Sequence, residues 1–180
     1  MKFLSLFRIL PSRRPSRGFT LLEVLVVIAI IGILLGLSYP SLMNSMHTRS
    51  MENAARTIAT DLQWAKYQAV KTKINHRLRF EQQGDGVWIM TLERESQPAV
   101  WQAMPGYVKR AISANFNVTI SLPDDSVVYN PLGLVENYSS VSNLVTLQSD
   151  KLKNQEQPDV REIRIFVGGT VQYLRTTSAT

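Results

Sequence analysis

At 180 residues the chain is about one ordinary domain with an appendage, which excludes two large domains. With 44% hydrophobic and 19% charged residues it can bury a core, and having no cysteine it has no disulfide framework, thiolate nucleophile, iron–sulfur ligation or cysteine-based zinc site. The net charge of +6 is unevenly placed: Lys2, Arg8, Arg13, Arg14 and Arg17 give the first eighteen residues +5, and the other 162 are close to neutral at +1. Without that first segment, no global electrostatic case for nucleic-acid binding remains.

From Phe19 to Leu37 nineteen residues, FTLLEVLVVIAIIGILLGL, carry a single charge, Glu23. As a helix they measure roughly 28 Å, close to the roughly 30 Å of a bilayer core. Apolar residues on every side of Val24 to Ile31 leave no polar face for a soluble domain to expose. Basic charge before the run predicts a cytoplasmic N-terminus and an exported body. An ionised acid inside hydrocarbon costs several kcal/mol without a partner. A free α-amino group on Phe19, released by a cut after Gly18, would supply one, in the same chain about a turn away or in an axially shifted neighbour. An ordinary secretory signal is the competing reading: it places a mature start at Tyr39 and leaves Glu23 unexplained.

Arg17, Gly18, Phe19, Thr20, Leu21, Leu22, Glu23 and Val24 resemble the processing motif of type IV pilins and type II secretion pseudopilins. The resemblance implies that a prepilin peptidase cuts between Gly18 and Phe19 and methylates the Phe19 amine. It also implies that Glu23 neutralises the amine of an adjacent subunit in a helical filament.

Pro40 should kink or bend the helix without having to end it. Ala55, Ile58, Ala59, Leu62, Ala65 and Ala69 recur at three and four, with Arg56, Thr60, Gln63, Tyr67 and Lys71 on the other side. This predicts an amphipathic continuation to about residue 73 whose alanine stripe lies close against a sheet. Beyond it the period falls toward two. Strands are predicted at 76–80 and 87–92 around a Gly84-Asp85-Gly86 turn, then at 99–103, 116–122, 127–129, 144–148, 162–167 and 170–174, the last two joined by Gly168-Gly169. The polar stretch from Ser149 to Asp159 reads as an exposed loop, and Asp124-Asp125 after Pro123 as a turn.

Asp61 to Lys71, Tyr129-Asn130-Pro131-Leu132-Gly133 and the closing hairpin Ile163 to Tyr173 resemble features of the H-type minor pseudopilins and FimT-like minor pilins (the GspH/FimT branch). Trp64 to Tyr67 depart from that branch's usual end-of-helix wording. The expected fold is α+β, a long N-terminal helix with a membrane-spanning first half and an amphipathic second half, packed on an all-β antiparallel C-terminal head. The expected division is a basic leader at 1–18, a transmembrane and filament-core helix at 19–38, an amphipathic helix at 39–73 and a β-rich periplasmic head at 74–180.

Catalytic chemistry is not expected. His47 and His76 lack a histidine or acidic neighbour at zinc-ligand spacing, and His76 reads as a strand residue. No nucleophile elbow and no phosphate-binding loop appear, so the chain reads as neither an enzyme nor the filament motor, and no cofactor or metal is expected. The resemblance implies as partners the prepilin peptidase, other major and minor pilins or pseudopilins, the inner-membrane assembly platform and, before assembly, the lipid bilayer. A second hypothesis is capture of extracellular DNA through Lys151, Lys153, Arg161, Arg164 and Arg175, with Arg77 and Arg79 as possible additions. Asp150, Glu156, Asp159 and Glu162 interleave that cluster, which favours solvated loop charges.

Overall fold

The structure, a computed structural model, describes residues 19–178, and of 37–42 and Asn44 the backbone alone. Gly18 and the basic leader lie outside the described residues. The chain divides into two compact units, Met1–Ser41 and Leu42–Thr180.

Helix α1 runs Leu21–Thr72 and continues through Pro40. In the first unit its described apolar side chains are exposed, Leu21 and Leu22 most of all. Among the described residues no helix is long and apolar enough to cross a membrane. The stretch with described side chains, Leu21 to Gly36, stops short of the roughly 17–25 residues a span needs. The predicted span 19–38 extends beyond it.

In the second unit Met51, Ala55, Ile58, Leu62, Ala65 and Ala69 of α1 are fully buried, while Arg56, Thr60, Gln63, Tyr67 and Lys71 face water. Every residue expected to be outside is outside, and of the stripe Ala59 alone is half-buried. Small side chains let the helix axis approach its neighbours closely. Ile58 and Leu62, each wholly removed from water, contribute about 1.5–3 kcal/mol apiece before conformational entropy is counted.

Among the described residues nine strands follow: β1 His76–Gln82, β2 Trp88–Gln97, β3 Val100–Ala103, β4 Arg110–Ile112, β5 Asn117–Ser121, β6 Ser126–Tyr129, β7 Leu144–Gln148, β8 Val160–Ile165 and β9 Val171–Thr176. One sheet has the order β3-β2-β1-β6, with β4 also paired to β2; the other has the order β5-β7-β8-β9. All pairings are antiparallel. Leu78, Phe80, Met90, Leu92 and Val127 of the first sheet share one core with Val145, Leu147, Ile163 and Ile165 of the second and with the buried stripe of α1.

The β1–β2 turn closes with Gly86 at φ +82 and its N–H donating to Gln83 O at 2.9 Å. The β8–β9 turn uses Gly169 at φ +69 in the same way, its N–H 2.7 Å from Phe166 O. Asp124 and Asp125 form the expected turn, inside a short 3-10 helix Pro123–Asp125 with both residues in the left-handed region. One strand was not foreseen, and one expected loop is corrected. Strand β4 escaped sequence reading because three residues beginning with an exposed arginine show no alternation. The stretch from Ser149 to Asp159 is not a plain exposed loop: Ser149 caps a short helix α2, Asp150–Lys153, and Leu152 and Asp159 are buried. Asp159 is held there by the Ser178 N–H and hydroxyl, both at 2.8 Å.

Candidate assembly site and the charged clusters of the head

At the start of α1 Thr20 acts as a cap: its Oγ1 accepts the Glu23 N–H at 3.2 Å, and its carbonyl oxygen accepts the same N–H at 3.1 Å. Thr20 thus caps the helix through its hydroxyl, and Glu23 stands at the third helical position, where the helix dipole also favours an acid. Sequence reasoning missed this local role, although the T-x-x-E spacing signals it. Phe19 is 81% exposed, beside the cap. Among the described residues no ion pair includes Glu23.

The three stretches that carry the H-type resemblance are far apart in sequence and meet in space. Lys66 of α1 donates from Nζ to Gly168 O at 3.0 Å. Gly133, at φ +79, ends a turn in which its N–H bonds Asn130 O at 2.8 Å, and a β-carbon there would lie 3.0 Å from Lys66 Cε. A β-carbon on Gly169 would fall 2.2 Å from Gly133 O. Glycine is therefore required at 169 for its backbone angle and for close approach of two loops. Gly169→Ala should cost at least the roughly 1–2 kcal/mol of a left-handed alanine, with the displacement of the 130–133 turn added. Denaturant unfolding of Gly169→Ala and of Gly168→Ala, which meets nothing within 4 Å, checks this; the second should be much the milder.

Glu52 gathers a second group. It accepts from Tyr173 Oη at 2.5 Å, from Arg56 Nε at 3.0 Å and from Arg161 Nε at 3.3 Å. Burial pushes its carboxyl up, but the hydrogen bonds from Tyr173, Arg56 and Arg161 outweigh that and hold it below the usual carboxylate range. Burial together with the bond to Glu52 pushes the Tyr173 hydroxyl up to about 12. The Arg161 side chain is wholly buried, Nη1 bonding the carbonyls of Pro158 and Val160, each at 3.0 Å. The cluster ties α1 to β8 and β9.

Asp61, only 3% exposed, forms a third group: it accepts from Tyr107 Oη at 2.8 Å and pairs with Arg110 Nε at 3.4 Å, while Tyr107 stacks on Trp64. Burial raises the Asp61 carboxyl above its ordinary value despite both partners.

His76 is the buried first residue of β1, as expected, its Nδ1 3.0 Å from Ile74 O. Burial lowers its pKa below the ordinary imidazole value, Arg94 adds to this, and the bond to Ile74 O opposes it. A histidine whose folded pKa is depressed contributes its stability fully above the unfolded value of 6.5 and loses it as pH falls from there through the lower folded pKa. Thermal midpoints should therefore drop as pH falls below about 6.5, and His76→Asn should flatten that slope.

The residues named for DNA do not form one surface. Arg161 is in the interior, bonded to Glu52; Arg164 is on the outer face of β8, paired with Glu162 at 2.8 Å. Arg77 is engaged with Glu93 at 2.5 Å and lies over the Trp101 ring at 4.3 Å. Lys151, Lys153, Arg175 and Arg79 remain exposed. The placement of Arg161 in a surface cluster is therefore corrected: alternation along β8 turns 161, 163 and 165 inward, and an arginine at an inward position resembled a loop charge because residues 149–159 read as loop. Among the described residues no group of three or more His, Cys, Asp or Glu could hold a metal.

A helix capped at Thr20 precedes an antiparallel β head, and residues 13–39 match the family model described as the prokaryotic N-terminal methylation motif. Motif and fold are thus each similar to what pilin-like and pseudopilin proteins carry. The chain's fold is similar to that of the minor pseudopilin EpsH of the type 2 secretion system of Vibrio cholerae, with a TM-score of 0.52 at 12% identity over 70% of this chain and 97% of that one. Among curated proteins it is 34% identical over 80 residues to the pilin-like protein PilA1 of Thermus thermophilus. That match covers 44% of this chain and half the length of the relative.

Proposed function

We propose that the chain is a minor pilin or pseudopilin, cut between Gly18 and Phe19 by a prepilin peptidase and methylated at the new Phe19 amine. It is anchored in the inner membrane by residues 19–38 with the head in the periplasm. From there it joins the tip or initiation complex of a type II secretion pseudopilus or type IV pilus. The observation that carries this reading is the methylation motif over residues 13–39 on a chain whose fold is similar to that of an H-type minor pseudopilin.

In this reading Glu23 has two duties. Its backbone N–H closes the cap on Thr20, and its carboxylate meets the Phe19 amine of the next protomer, since no cation among the described residues of its own chain neutralises it. Both charges then leave lipid as a pair, which lowers the cost of burying either.

Deletion of the gene in its native host tests the assignment. Loss of exoprotein secretion or of surface pili, restored by the wild-type gene, supports a subunit of the corresponding apparatus. Unchanged secretion, piliation and filament number contradict it. Capture of DNA keeps little support, because its central residue Arg161 is engaged with Glu52 inside the head.

A further inference from the structure

The chain has six methionines, and three of them, Met43, Met46 and Met51, fall within nine residues of α1. Met51 is core, but Met43 and Met46 are 36% and 65% exposed, an unusual setting for a side chain that mostly fills interior gaps. Met43 stands three and four residues before Met46 and His47, and Ser50 follows those two at the same spacings, so all four lie on one helix face. Asn115, from the connection between β4 and β5, faces them, and together the five side chains line an open cleft of about 220 Å³.

The donors in that cleft are two thioethers, one imidazole, a hydroxyl and an amide. No carboxylate or thiolate lines it, so it lacks the donor sets that hold calcium, magnesium or structural zinc. Thioether sulfur with imidazole is a soft set that selects Cu(I), and a neutral set suits a singly charged ion, whose charge it does not have to offset. A purely apolar contact would have no use for the imidazole, hydroxyl and amide that share the cleft.

We propose that Met43, Met46 and His47 form a binding site for a soft monovalent cation, Cu(I) or its redox-inert analogue Ag(I), with Ser50 and Asn115 as neutral neighbours. The site lies wholly within the second unit and does not depend on processing or assembly.

Full-length protein in detergent micelles, carrying 13C-methyl methionine, is titrated with Ag(I). The methyl signals of Met43 and Met46 and the ring signals of His47 should shift together and saturate at one equivalent, while those of Met90 and Met104 stay in place. Met43→Leu with Met46→Leu conserves volume and helix propensity, so the fold is kept and affinity alone should fall, by at least about tenfold. His47→Gln should weaken binding as well. Absence of shifts at the two methyl groups, or affinity untouched by the double leucine variant, overturns the site.

Discussion

Protein carrying Glu23→Gln should enter the membrane and be processed like wild type, and be nearly absent from filaments. Glutamine is the informative substitution because it keeps the side chain's length and polarity, leaves the backbone N–H bonded to Thr20 Oγ1, and removes only the charge. Loss of a cap costs roughly 0.5–2 kcal/mol, whereas breaking a buried ion pair by removing one partner costs about 3–5 kcal/mol, because the other charge stays buried and uncompensated. At 1.4 kcal/mol per factor of ten, the pairing account requires a loss of about a hundredfold or more at each subunit contact. Glu23→Leu should then assemble no worse than Glu23→Gln. Quantitative blotting of filament and membrane fractions reads the difference: normal incorporation of the glutamine variant, with failure of leucine, would leave Glu23 as a cap residue only.

Arg161→Ala should destabilise the head strongly, by about 2–4 kcal/mol in denaturant unfolding. It removes the bond to Glu52 and the bonds to the Pro158 and Val160 carbonyls, and empties a fully buried volume between α1 and β8. Arg161 Nη2 has no partner among the protein atoms, a cost the wild type already carries and the variant escapes, which sets a limit on the loss. Arg164→Ala, on the same strand with an exposed ion pair, should change stability by no more than about 0.5 kcal/mol. Equal effects of the two arginines would contradict the inward placement of Arg161. The contrast also bears on DNA: any defect of an Arg161 variant in a binding assay reports unfolding first.

Periodicity made much of this architecture readable in advance. The alanine stripe, the Gly84-Asp85-Gly86 and Gly168-Gly169 turns and strand β7 follow from spacings within a dozen residues, where side-chain phase and backbone preference act alone. What escaped depends on contacts distant in sequence. Arg161 is tolerable inside only because Glu52, 109 positions before it, and Tyr173, 121 positions beyond Glu52, reach the same point. Asp61 drew no separate reading, and its burial depends on Tyr107 and Arg110 closing over it. Gly133 and Gly169 each read as turn residues, and their mutual approach beside Lys66 could not be seen from either one. At the candidate assembly site Phe19 and Glu23 were named from the motif. The cap from Thr20 to Glu23 was not, because a lone acid in an apolar run signals charge pairing more strongly than it signals a helix start.

Intact-mass measurement of the protein, purified from cells that possess the peptidase, decides whether processing takes place. The expected chain begins at Phe19 and carries one added methyl group on its amine. A chain that retains Met1, or one that begins at Tyr39, would contradict it.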